Sequence, residues 1–405
     1  MTDKPQVAIV GAGIGGLVTA LACVVRGFDV TVYEQTDELQ EVGAGLQVSA
    51  NGTRVFAALG LLDAVRAVAC EPVGKEIRLW STGETWKLFD LGAVSVARYG
   101  FPYLFVHRAD LQRVLATALQ EARPQALRLG ACCTGFADRG DAVELRFANG
   151  ATARAGVLIG ADGIHSRLRQ ALFGDDRPEF TGLMAWRGLV PAVRLRRGIR
   201  LVGTNWVGPG GHVVHYPLRR GELMNFVGIV ERSDWRAESW TDRGTVAECA
   251  ADFQGWHDDV HELIRNVEVP YKWALLGREP LPRWSAGRVT LLGDACHPTL
   301  PMLAQGANMA IEDGYVLARC LAAYDDPAAA VAAYEDARRD RTARIVRGSA
   351  DNARRFHNAT LATPGEAQRY IDTEWSEDRI EARYGWLFEY DATTAPIPAT
   401  ARGEG

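Results

Sequence analysis

The sequence lacks the features that mark several protein classes. No apolar run approaches the ~20 residues that span a membrane, so no membrane partner is expected. Lys and Arg number 45 against 50 Asp and Glu, which gives a formal net charge of −5 and no basic footprint for nucleic acid. We interpret the local run Arg338-Arg339-Asp340-Arg341 as a solvated helix face. No basic-then-apolar segment precedes the first apolar run, so no signal peptide is expected.

Cysteine is scarce and shows no pairing pattern. The seven residues are odd in number and scattered, no CxxC occurs, and the close pair Cys132-Cys133 is a poor disulfide geometry because its members are adjacent. These observations predict reduced thiols in a cytoplasmic protein.

Several catalytic signatures are also missing. The chain contains neither the GxSxG elbow of acyl-transfer enzymes nor the GKS/T loop of phosphate-transfer enzymes. His257 and His261 have the spacing of metal ligands on one helix face, but the HExxH order is absent and no third ligand is clustered with them. The pair therefore predicts a solvated helix face, with no metal site.

A glycine-rich loop follows the first apolar run. Val7–Val10 is short and apolar, which predicts a buried parallel strand. Gly11 would allow a tight turn, Gly13 would let the backbone approach a pyrophosphate, and Gly16 would let the next helix pack closely. The phosphates would then lie against the amides at the helix N-terminus. The cofactor-binding candidates of the loop are Gly11, Gly13, Ile14, Gly15 and Gly16.

An acidic residue closes the second predicted strand. Residues 29–33 are strand-like and end at Glu34, about 20 residues past the loop. Glu34 is suited to hydrogen-bond a ribose 2′-hydroxyl, and its charge would repel the 2′-phosphate of NADP. A glycine turn with no ligand is the rival interpretation, but strand, helix and acidic residue together favour a bound dinucleotide.

Two later motifs extend the same predicted ligand site. They are Gly160-Ala161-Asp162-Gly163 and Gly293-Asp294-Ala295-Cys296-His297-Pro298. In this order the three motifs predict one dinucleotide, contacted at its pyrophosphate, its middle and its ribityl end, which is typical of a flavin enzyme. Asp294 is suited to accept hydrogen bonds from ribityl or ribose hydroxyls, and its alternative role is to cap the next segment. A helix then follows whose N-terminal amides would stabilise negative charge on a reduced flavin. It opens with Gly306, Ala307 and Asn308.

The order of the apolar runs predicts the fold class and the domains. The class is α/β, with a Rossmann-like βαβ unit for FAD, an inserted antiparallel sheet and C-terminal helices. Residues 1–178 and 272–345 are expected to form a discontinuous FAD-binding domain. Residues 179–271 are expected to form an inserted substrate domain, to which part of 72–105 contributes, and 346–405 form a C-terminal helical or irregular segment. The inserted strands are predicted at 186–193, 199–207, 212–217 and 224–230.

Together the three motifs resemble those of the class A flavoprotein aromatic hydroxylases, which have the fold of p-hydroxybenzoate hydroxylase. The resemblance covers at least residues 7–341. Three further segments are similar to the branch that includes 3-hydroxybenzoate 6-hydroxylase, salicylate hydroxylase and 6-hydroxynicotinate 3-monooxygenase. They are Gly43-Ala44-Gly45-Leu46-Gln47, His212-Val213-Val214-His215-Tyr216-Pro217-Leu218-Arg219 and Pro301-Met302-Leu303-Ala304-Gln305-Gly306-Ala307-Asn308.

This resemblance implies a reaction and a set of ligands. It implies non-covalent FAD, and a reduced flavin that traps O₂ as a C4a-hydroperoxide, which an electron-rich ring carbon then attacks. The substrate would be a small phenolic aromatic acid or a hydroxypyridine. NADH or NADPH would be a transient co-substrate because the sequence shows no second strand-Gly-loop-helix unit, and the resemblance favours NADH. The further cofactor contacts that it implies are Gln47, Arg108, Asp162 and Pro298.

Two residues of the inserted sheet are candidates for acid–base chemistry. A phenolate is a better electron donor than a phenol, and histidine is suited to remove the proton because its pKa lies near neutral pH. His212 and Tyr216 are four residues apart in a predicted strand and share a face, whereas His215 points to the other face. By resemblance to the family's HxxxYP pattern, His212 is the base and Tyr216 orients or activates the phenol. Gln305 lies just before the predicted flavin-binding helix, where it would hydrogen-bond the substrate hydroxyl. The alternatives are a structural histidine at 212 and simple helix-terminal polarity at 305.

Other functions and assembly states stay open. An epoxidase or tailoring oxidase acting on a non-aromatic substrate is one alternative, and a nucleotide-binding regulatory protein without turnover is another. The sequence does not distinguish a monomer from a homodimer. It also leaves open the exact ring, the position hydroxylated, and whether decarboxylation accompanies hydroxylation.

Overall fold

The structure is a computed structural model that describes four ranges of the chain, 4–39, 45–174, 176–232 and 242–398. Gly43 and Ala44, which belong to one of the segments quoted above, lie outside these ranges. Within them, no helix is long and apolar enough to cross a membrane.

The secondary structure of the described ranges is as follows. The strands are β1 (Val7–Val10), β2 (Val30–Tyr33), β3 (Gly45–Val48), β4 (Ala69–Cys70), β5 (Gly74–Leu79), β6 (Thr85–Asp90), β7 (Leu104–His107), β8 (Leu127–Arg128), β9 (Cys133–Asp138), β10 (Val143–Phe147), β11 (Thr152–Ala155), β12 (Val157–Gly160), β13 (Glu179–Pro191), β14 (Val202–Gly208), β15 (Gly211–Leu218), β16 (Leu223–Glu231), β17 (Tyr271–Gly277), β18 (Ser285–Ala286) and β19 (Val289–Leu291). The helices are α1 (Ile14–Val25), α2 (Ala50–Ala58), α3 (Leu62–Val68), α4 (Ala93–Tyr99), α5 (Arg108–Ala122), α6 (Arg167–Phe173), α7 (Val246–Asp252), α8 (Asp258–Asn266), α9 (Gly306–Ala323), α10 (Pro327–Phe356), α11 (Pro364–Glu374) and α12 (Glu377–Glu389).

The first sheet, which carries the glycine loop, has the strand order β18-β19-β12-β1-β2-β8. Its strands pair in parallel except at the edge, where β18 pairs antiparallel with β19. All four residues of the central strand β1 are buried, as expected for an apolar run inside a parallel sheet. Helix α1 starts directly after the glycine loop and packs against α9. The predicted strand-loop-helix unit is therefore confirmed.

The second sheet has the strand order β17-β13-β16-β15-β14-β5-β6 in the described part of the chain. Its strands are antiparallel, as predicted, except that β14 and β5 run parallel. Strand β13 starts earlier than predicted, at Glu179, and residues 192–194 form a 3₁₀ turn instead of continuing it. Residues 74–90 thus add two strands beside the inserted ones. The domain boundaries themselves stay a proposal.

Helix α10 connects the two sheets. It has 30 residues and is therefore about 45 Å long. Pro327 occupies its first turn, and Asp326 caps it by accepting hydrogen bonds from two first-turn amides. Its start packs near β18 and β19, and at its other end Phe356 packs with Leu79 and Ile229 of the second sheet. The chain after α10 consequently lies close to the face of β15 and β16.

The two histidines that were predicted to share a solvated helix face do not share one. His257 precedes α8 and caps it, since its Nδ1 accepts a hydrogen bond from the amide of Asp259 at 3.1 Å. Its ring also stacks on Trp206. Of the two, only His261 lies within the helix, because the helix starts one residue later than the spacing suggests.

Candidate active site

A cavity lies where the glycine loop, the start of α9 and one face of the second sheet meet. We call this face, which carries the side chains of His212, Val214, Tyr216, Val227 and Ile229, the inner face of the sheet. Residues from all three sequence motifs also line the cavity, so the fold brings together segments almost 300 residues apart. The predicted site residues that line it are Gly13, Ile14, Gly15, Gly16, Gln47, Arg108, His212, Tyr216, Asp294, Gly306 and Ala307.

The glycine loop is tightly packed on one side and open on the other. Gly11 has a φ of +107°, and a Cβ there would lie 2.3 Å from the carbonyl oxygen of Ala161. A Cβ on Gly16 would lie 2.0 Å from the carbonyl oxygen of Gly11, so helix α1 packs directly on the loop. At Gly13, in contrast, no heavy atom of the described residues lies within 4 Å of the Cβ position. The open side of the loop therefore faces the cavity at Gly13.

Glu34 lies behind the loop and holds it in place. Its Oε2 accepts a hydrogen bond from the amide of Ala12 at 2.9 Å, and its Oε1 accepts one from the amide of Thr36 at 3.0 Å. From α5, Gln112 donates its Nε2 to the carbonyl oxygen of Ala12 at 2.8 Å. The ribose contact of Glu34 stays a prediction. Gln112 gave no sequence signal, since it lies 100 residues from its partner.

Asp162 uses its carboxylate inside the protein. Its Oδ1 accepts a hydrogen bond from Ser166 Oγ at 2.5 Å, and its Oδ2 accepts from the amides of Arg167 at 2.9 Å and Leu168 at 3.2 Å. Burial raises the pKa of Asp162, while these hydrogen bonds oppose the rise. The carboxylate thus caps α6, which differs from the predicted contact with a cofactor. The residues on either side of Asp162 line the cavity in its place.

Part of the third motif lines the cavity, and part of it is buried in the protein. The Asp294 side chain is exposed to the cavity although it lies deep in the protein, and this depth raises its pKa while the nearby Arg108 opposes the rise. His297 and Pro298 are buried instead, and the cavity wall continues at Thr299. Asp294 therefore lines the cavity, and its contact with ribityl hydroxyls stays a prediction, whereas Pro298 packs into the protein.

Helix α9 directs its N-terminus towards the cavity. Gly306 and Ala307 line the cavity, so the first-turn amides, which lack partners within the helix, lie at its edge. Asn308 turns away and ties the helix to β3. Its Oδ1 accepts a hydrogen bond from the amide of Ser49 at 3.1 Å, and its Nδ2 donates to the carbonyl oxygen of Gln47 at 3.0 Å. Asn308 thus positions the helix rather than contacting the cavity.

Gln305 has a similar positioning role. Its Nε2 donates to Ser49 Oγ at 3.0 Å, its Oε1 accepts from Asn51 Nδ2 at 3.0 Å, and the residue is 1% exposed. Both ends of the side-chain amide therefore have protein partners. This arrangement differs from the predicted hydrogen bond between Gln305 and the substrate.

Buried ion pairs lie behind the start of α9. From α10, Arg338 Nη2 donates to Glu312 Oε2 at 2.5 Å, and Arg341 Nη2 donates to Glu312 Oε1 at 2.8 Å. Burial acts to raise the pKa of Asp313, but His297 and Arg338 lower it to about 2. The prediction of a solvated face is wrong for Arg338, which is 0% exposed, because two carboxylates of α9 lie opposite it.

His212 and Tyr216 share one wall of the cavity, on the inner face of β15. His212 is 1% exposed, and burial and the neighbouring His357 lower its pKa well below 6.5, so its ring is neutral. Burial raises the pKa of Tyr216, whose hydroxyl therefore stays protonated. The Tyr216 ring packs against Gly45, where a Cβ would lie 2.5 Å from its Cε2. His215 lies on the other face, as predicted, and accepts a hydrogen bond from Trp206 Nε1 at 3.1 Å.

Two polar residues near this wall were missed by the sequence interpretation. Asn225 Oδ1 accepts a hydrogen bond from the amide of Gly45 at 2.9 Å, which anchors β3 to the second sheet. The Lys75 ammonium donates to Gln47 Oε1 at 3.0 Å, and burial lowers its pKa to about 8. A signal existed for Asn225, since it is a lone amide inside an otherwise apolar strand.

Comparison with known proteins identifies the family. The model of the FAD binding domain family matches residues 4–349. The chain belongs to this FAD-binding family of flavoprotein aromatic hydroxylases. It is 41% identical over 398 residues to 3-amino-4-hydroxybenzoate 2-monooxygenase PtnB3 of Streptomyces platensis, with 98% of each chain covered.

Two further similarities place this flavoprotein hydroxylase among the monooxygenases. It is 37% identical to 6-hydroxynicotinate 3-monooxygenase of Pseudomonas fluorescens, with 87% of this chain and 92% of the relative covered. A solved structure of Klebsiella pneumoniae HpxO with FAD and uric acid has a TM-score of 0.81 and 30% identity, and the match covers 96% and 97% of the two chains. The predicted fold class, the flavin and the monooxygenase activity are confirmed. The epoxidase and regulatory alternatives gain no support from these relatives.

The cavity of this flavoprotein hydroxylase fits FAD. The open side of Gly13 leaves room for a pyrophosphate against the loop, and Arg108, which also lines the cavity, would offer a cation to the phosphates as predicted from the resemblance. Asp294 offers an acceptor for ribityl hydroxyls. The α9 N-terminus at Gly306 offers the positive end of a helix to the anionic end of a reduced flavin. The residues that would hold the cofactor thus follow one path along the cavity.

Proposed function

We propose that this monooxygenase hydroxylates a small phenolic aromatic acid or a hydroxypyridine, with NAD(P)H and O₂ as co-substrates. FAD and the monooxygenase activity follow from the family, whereas the substrate class and the residue roles are proposed. The observation that carries the proposal is that His212 and Tyr216 share one wall of the cavity that Gly13 and the start of α9 also line. The two residues proposed for acid–base chemistry therefore line the same cavity as the elements proposed to bind the cofactor.

In the proposed mechanism, bound FAD supplies the activation of O₂, and the protein prepares the substrate. His212 is neutral because burial lowers its pKa, so a ring nitrogen is able to accept the proton of the substrate hydroxyl. The resulting phenolate donates electron density to the ring and activates its ortho and para carbons. Tyr216 keeps its proton because burial raises its pKa, and it donates a hydrogen bond that orients and stabilises the phenolate oxygen.

The pocket composition supports a single aromatic ring as substrate. Val214, Val227 and Ile229 form an apolar wall, and His212 and Tyr216 add polar anchors on either side of Val214 along β15. Such a wall would hold one ring carbon towards the flavin, which is the positioning that a regioselective hydroxylation requires. The relative that is 41% identical is named for 3-amino-4-hydroxybenzoate, which is a phenolic acid with a single ring.

We also propose NADH as the reductant. The strand-loop-helix unit at β1 and α1 is assigned to FAD, so NADH would bind transiently rather than on a domain of its own. Stopped-flow bleaching of the bound flavin by NADH and by NADPH, each with candidate aromatic acids, decides between the two. A homodimer and a cytoplasmic location stay predictions.

A product analysis under labelled oxygen tests the proposal. The FAD-loaded enzyme is given NADH and ¹⁸O₂ with 3-amino-4-hydroxybenzoate, 3-hydroxybenzoate, salicylate or 6-hydroxynicotinate. We expect one compound to yield a product that carries one additional labelled hydroxyl, in amounts matching the NADH consumed. Unlabelled products, or NADH oxidised only to peroxide with all four compounds and their close analogues, would overturn the substrate class. Bound FAD, measured separately by its absorbance, would leave the family assignment standing.

A further inference from the structure

Three side chains in hydrogen-bond contact lead from the cavity to the protein surface. His212 lines the cavity, and its Nδ1 lies 2.6 Å from Nε2 of His357, directly after α10. His357 Nδ1 lies 3.1 Å from Oε1 of Glu231 at the end of β16. The two histidines are 1% and 6% exposed, whereas the Glu231 side chain is 59% exposed. This series of three side chains therefore has a buried end at the cavity and a solvated end at Glu231.

The carboxylate fixes the protonation pattern of both histidines. An ionised Glu231 accepts hydrogen bonds only, so Nδ1 of His357 carries its proton. Nε2 of the neutral His357 is then an acceptor, and Nδ1 of His212 must be the donor in the 2.6 Å contact. This leaves Nε2 of the neutral His212 with a free lone pair. Glu231, at the protein surface, thereby determines that Nε2 is the nitrogen of His212 that is able to accept a proton.

The surroundings of the two histidines are otherwise apolar. The side chains beside His212 include its cross-strand partners Val207 and Ile229, and the ring of Phe356, whose centroid lies 5.1 Å from that of His212. Among the described residues, the ionisable groups whose charges act on them are the two histidines themselves and Glu231. Within the described part of the chain, no carboxylate thus acts directly on His212 to compensate a positive charge held there.

We propose that His357 and Glu231 form a proton relay, which carries the proton taken by His212 from the substrate hydroxyl out to solvent. This inference rests on the proposed function. The substrate O–H bond breaks and a new N–H bond forms at His212 Nε2. The proton on His212 Nδ1 moves to His357 Nε2, and the proton on His357 Nδ1 moves to Glu231, which releases it to water. Each histidine ends neutral, so no positive charge is left on the two buried rings, and the negative charge stays on the phenolate oxygen in the cavity.

The relay changes what determines the ionisation of the substrate. Burial lowers the pKa of His212 well below 6.5, whereas an ordinary phenol has a pKa of about 10. If His212 were the final proton acceptor, the equilibrium would favour the neutral phenol over the phenolate by a factor of more than about a thousand. Transfer to the surface replaces the buried imidazolium with a proton in bulk water, so the solvent pH sets the equilibrium and each pH unit raises the ratio of phenolate to phenol about tenfold.

Single-turnover kinetics of two variants test the relay. His357→Gln is expected to slow hydroxylation at pH 7 by about 10- to 100-fold, within the range of acid–base effects. The loss should shrink towards pH 9, where the substrate ionises without help, and KM and FAD content should stay near the wild-type values. Glu231→Gln keeps a hydrogen-bond acceptor but does not take up the proton, and a smaller loss with the same pH trend is expected. Glu222→Gln, an exposed carboxylate at the other end of β16, is the matched control and should behave as wild type.

A double-mutant cycle separates a relay from a structural role. If His357 acts through His212, the His212→Ala/His357→Gln protein should be no slower than His212→Ala alone, whereas independent structural damage would add. Wild-type rates and pH profiles in both single variants would overturn the relay and leave His212 as the base. If His357→Gln changed the pH profile of the rate and Glu231→Gln did not, Glu231 would not be part of the relay. If the wild-type enzyme hydroxylates no phenolic compound, the proposed function itself fails, which is a distinct result.

Discussion

Arg338 donates a hydrogen bond from Nε to Oδ1 of Asp313 at 2.8 Å, and both side chains are 0% exposed. The other carboxylate oxygen of Asp313 lies 2.6 Å from His297 Nε2 and also accepts from the amide of Gly293 at 3.1 Å. One buried ion pair therefore connects α10, α9 and the motif that carries Asp294. The position of the Asp294 carboxylate, which faces the cavity, depends on this connection.

We expect Arg338→Met to destabilise the protein strongly. Removing the cation would leave Glu312 and Asp313 as buried charges with reduced compensation, and breaking such a pair typically costs about 3–5 kcal/mol. Urea unfolding of the FAD-loaded protein measures the loss. Arg339→Met is the matched control, because that side chain is 37% exposed and its loss should change the free energy of unfolding by less than ~1 kcal/mol. Equal effects of the two substitutions would contradict the buried pair.

We expect Gly13→Val to abolish FAD retention while the protein stays folded. The position has ordinary backbone angles, with φ −70° and ψ 178°, and among the described residues no atom lies within 4 Å of its Cβ position. The new side chain would therefore occupy the cavity without disturbing the protein around it. Flavin absorbance after gel filtration, together with circular dichroism, measures the two effects.

Two other glycines serve as controls for that experiment. Gly365→Val, at a position equally open among the described residues, should keep FAD. Gly11→Ala should impair folding, because its Cβ would lie 2.3 Å from the Ala161 carbonyl oxygen. Full FAD occupancy in a folded Gly13→Val protein would show that this loop does not bind the pyrophosphate.

Sequence patterns predicted the elements whose information is local. The apolar run at β1, the glycines after it and the alternation along β15 each depend on neighbouring residues, and each is present in the structure. The inner-face positions of His212 and Tyr216 follow from the period of two in a strand. Local periodicity is therefore sufficient to place a side chain on a face.

The partners of buried polar side chains were not predictable in this way. Gln305 meets Asn51 across 254 residues, and His212 meets His357 across 145, so no spacing rule connects them. Arg338 belongs to a charged run that favours a solvated helix face, and it is nevertheless buried. Its burial depends on how α10 packs on α9, which is a property of the tertiary fold.

We expect acid to destabilise the protein below pH 6.5, partly through His215. Its surroundings lower its folded-state pKa to about 3, so between pH 6.5 and 3 the unfolded chain binds more protons than the folded one. Stability that is present above pH 6.5 is therefore lost as the pH falls, by up to about 1.4 kcal/mol per pH unit for one such group. His215→Gln should show a shallower decline than wild type in urea unfolding between pH 6.5 and 5. Parallel declines would contradict the depressed pKa.

We expect His212→Ala and Tyr216→Phe to slow hydroxylation far more than they weaken FAD binding. Acid–base assistance is typically worth about 10²–10⁴-fold, and neither side chain is part of the glycine loop or of α9. The loss in His212→Ala should be partly recovered at high pH, where the phenol ionises unaided, because the missing group acts only on the proton of the substrate. Rates of the hydroxylation step from pH 6 to 9.5, with FAD content measured in parallel, provide the comparison. The matched control is His215→Gln, on the opposite face of the same strand, which should keep the wild-type rate at neutral pH. Wild-type turnover in a folded, FAD-loaded His212→Ala protein would assign that histidine a structural role.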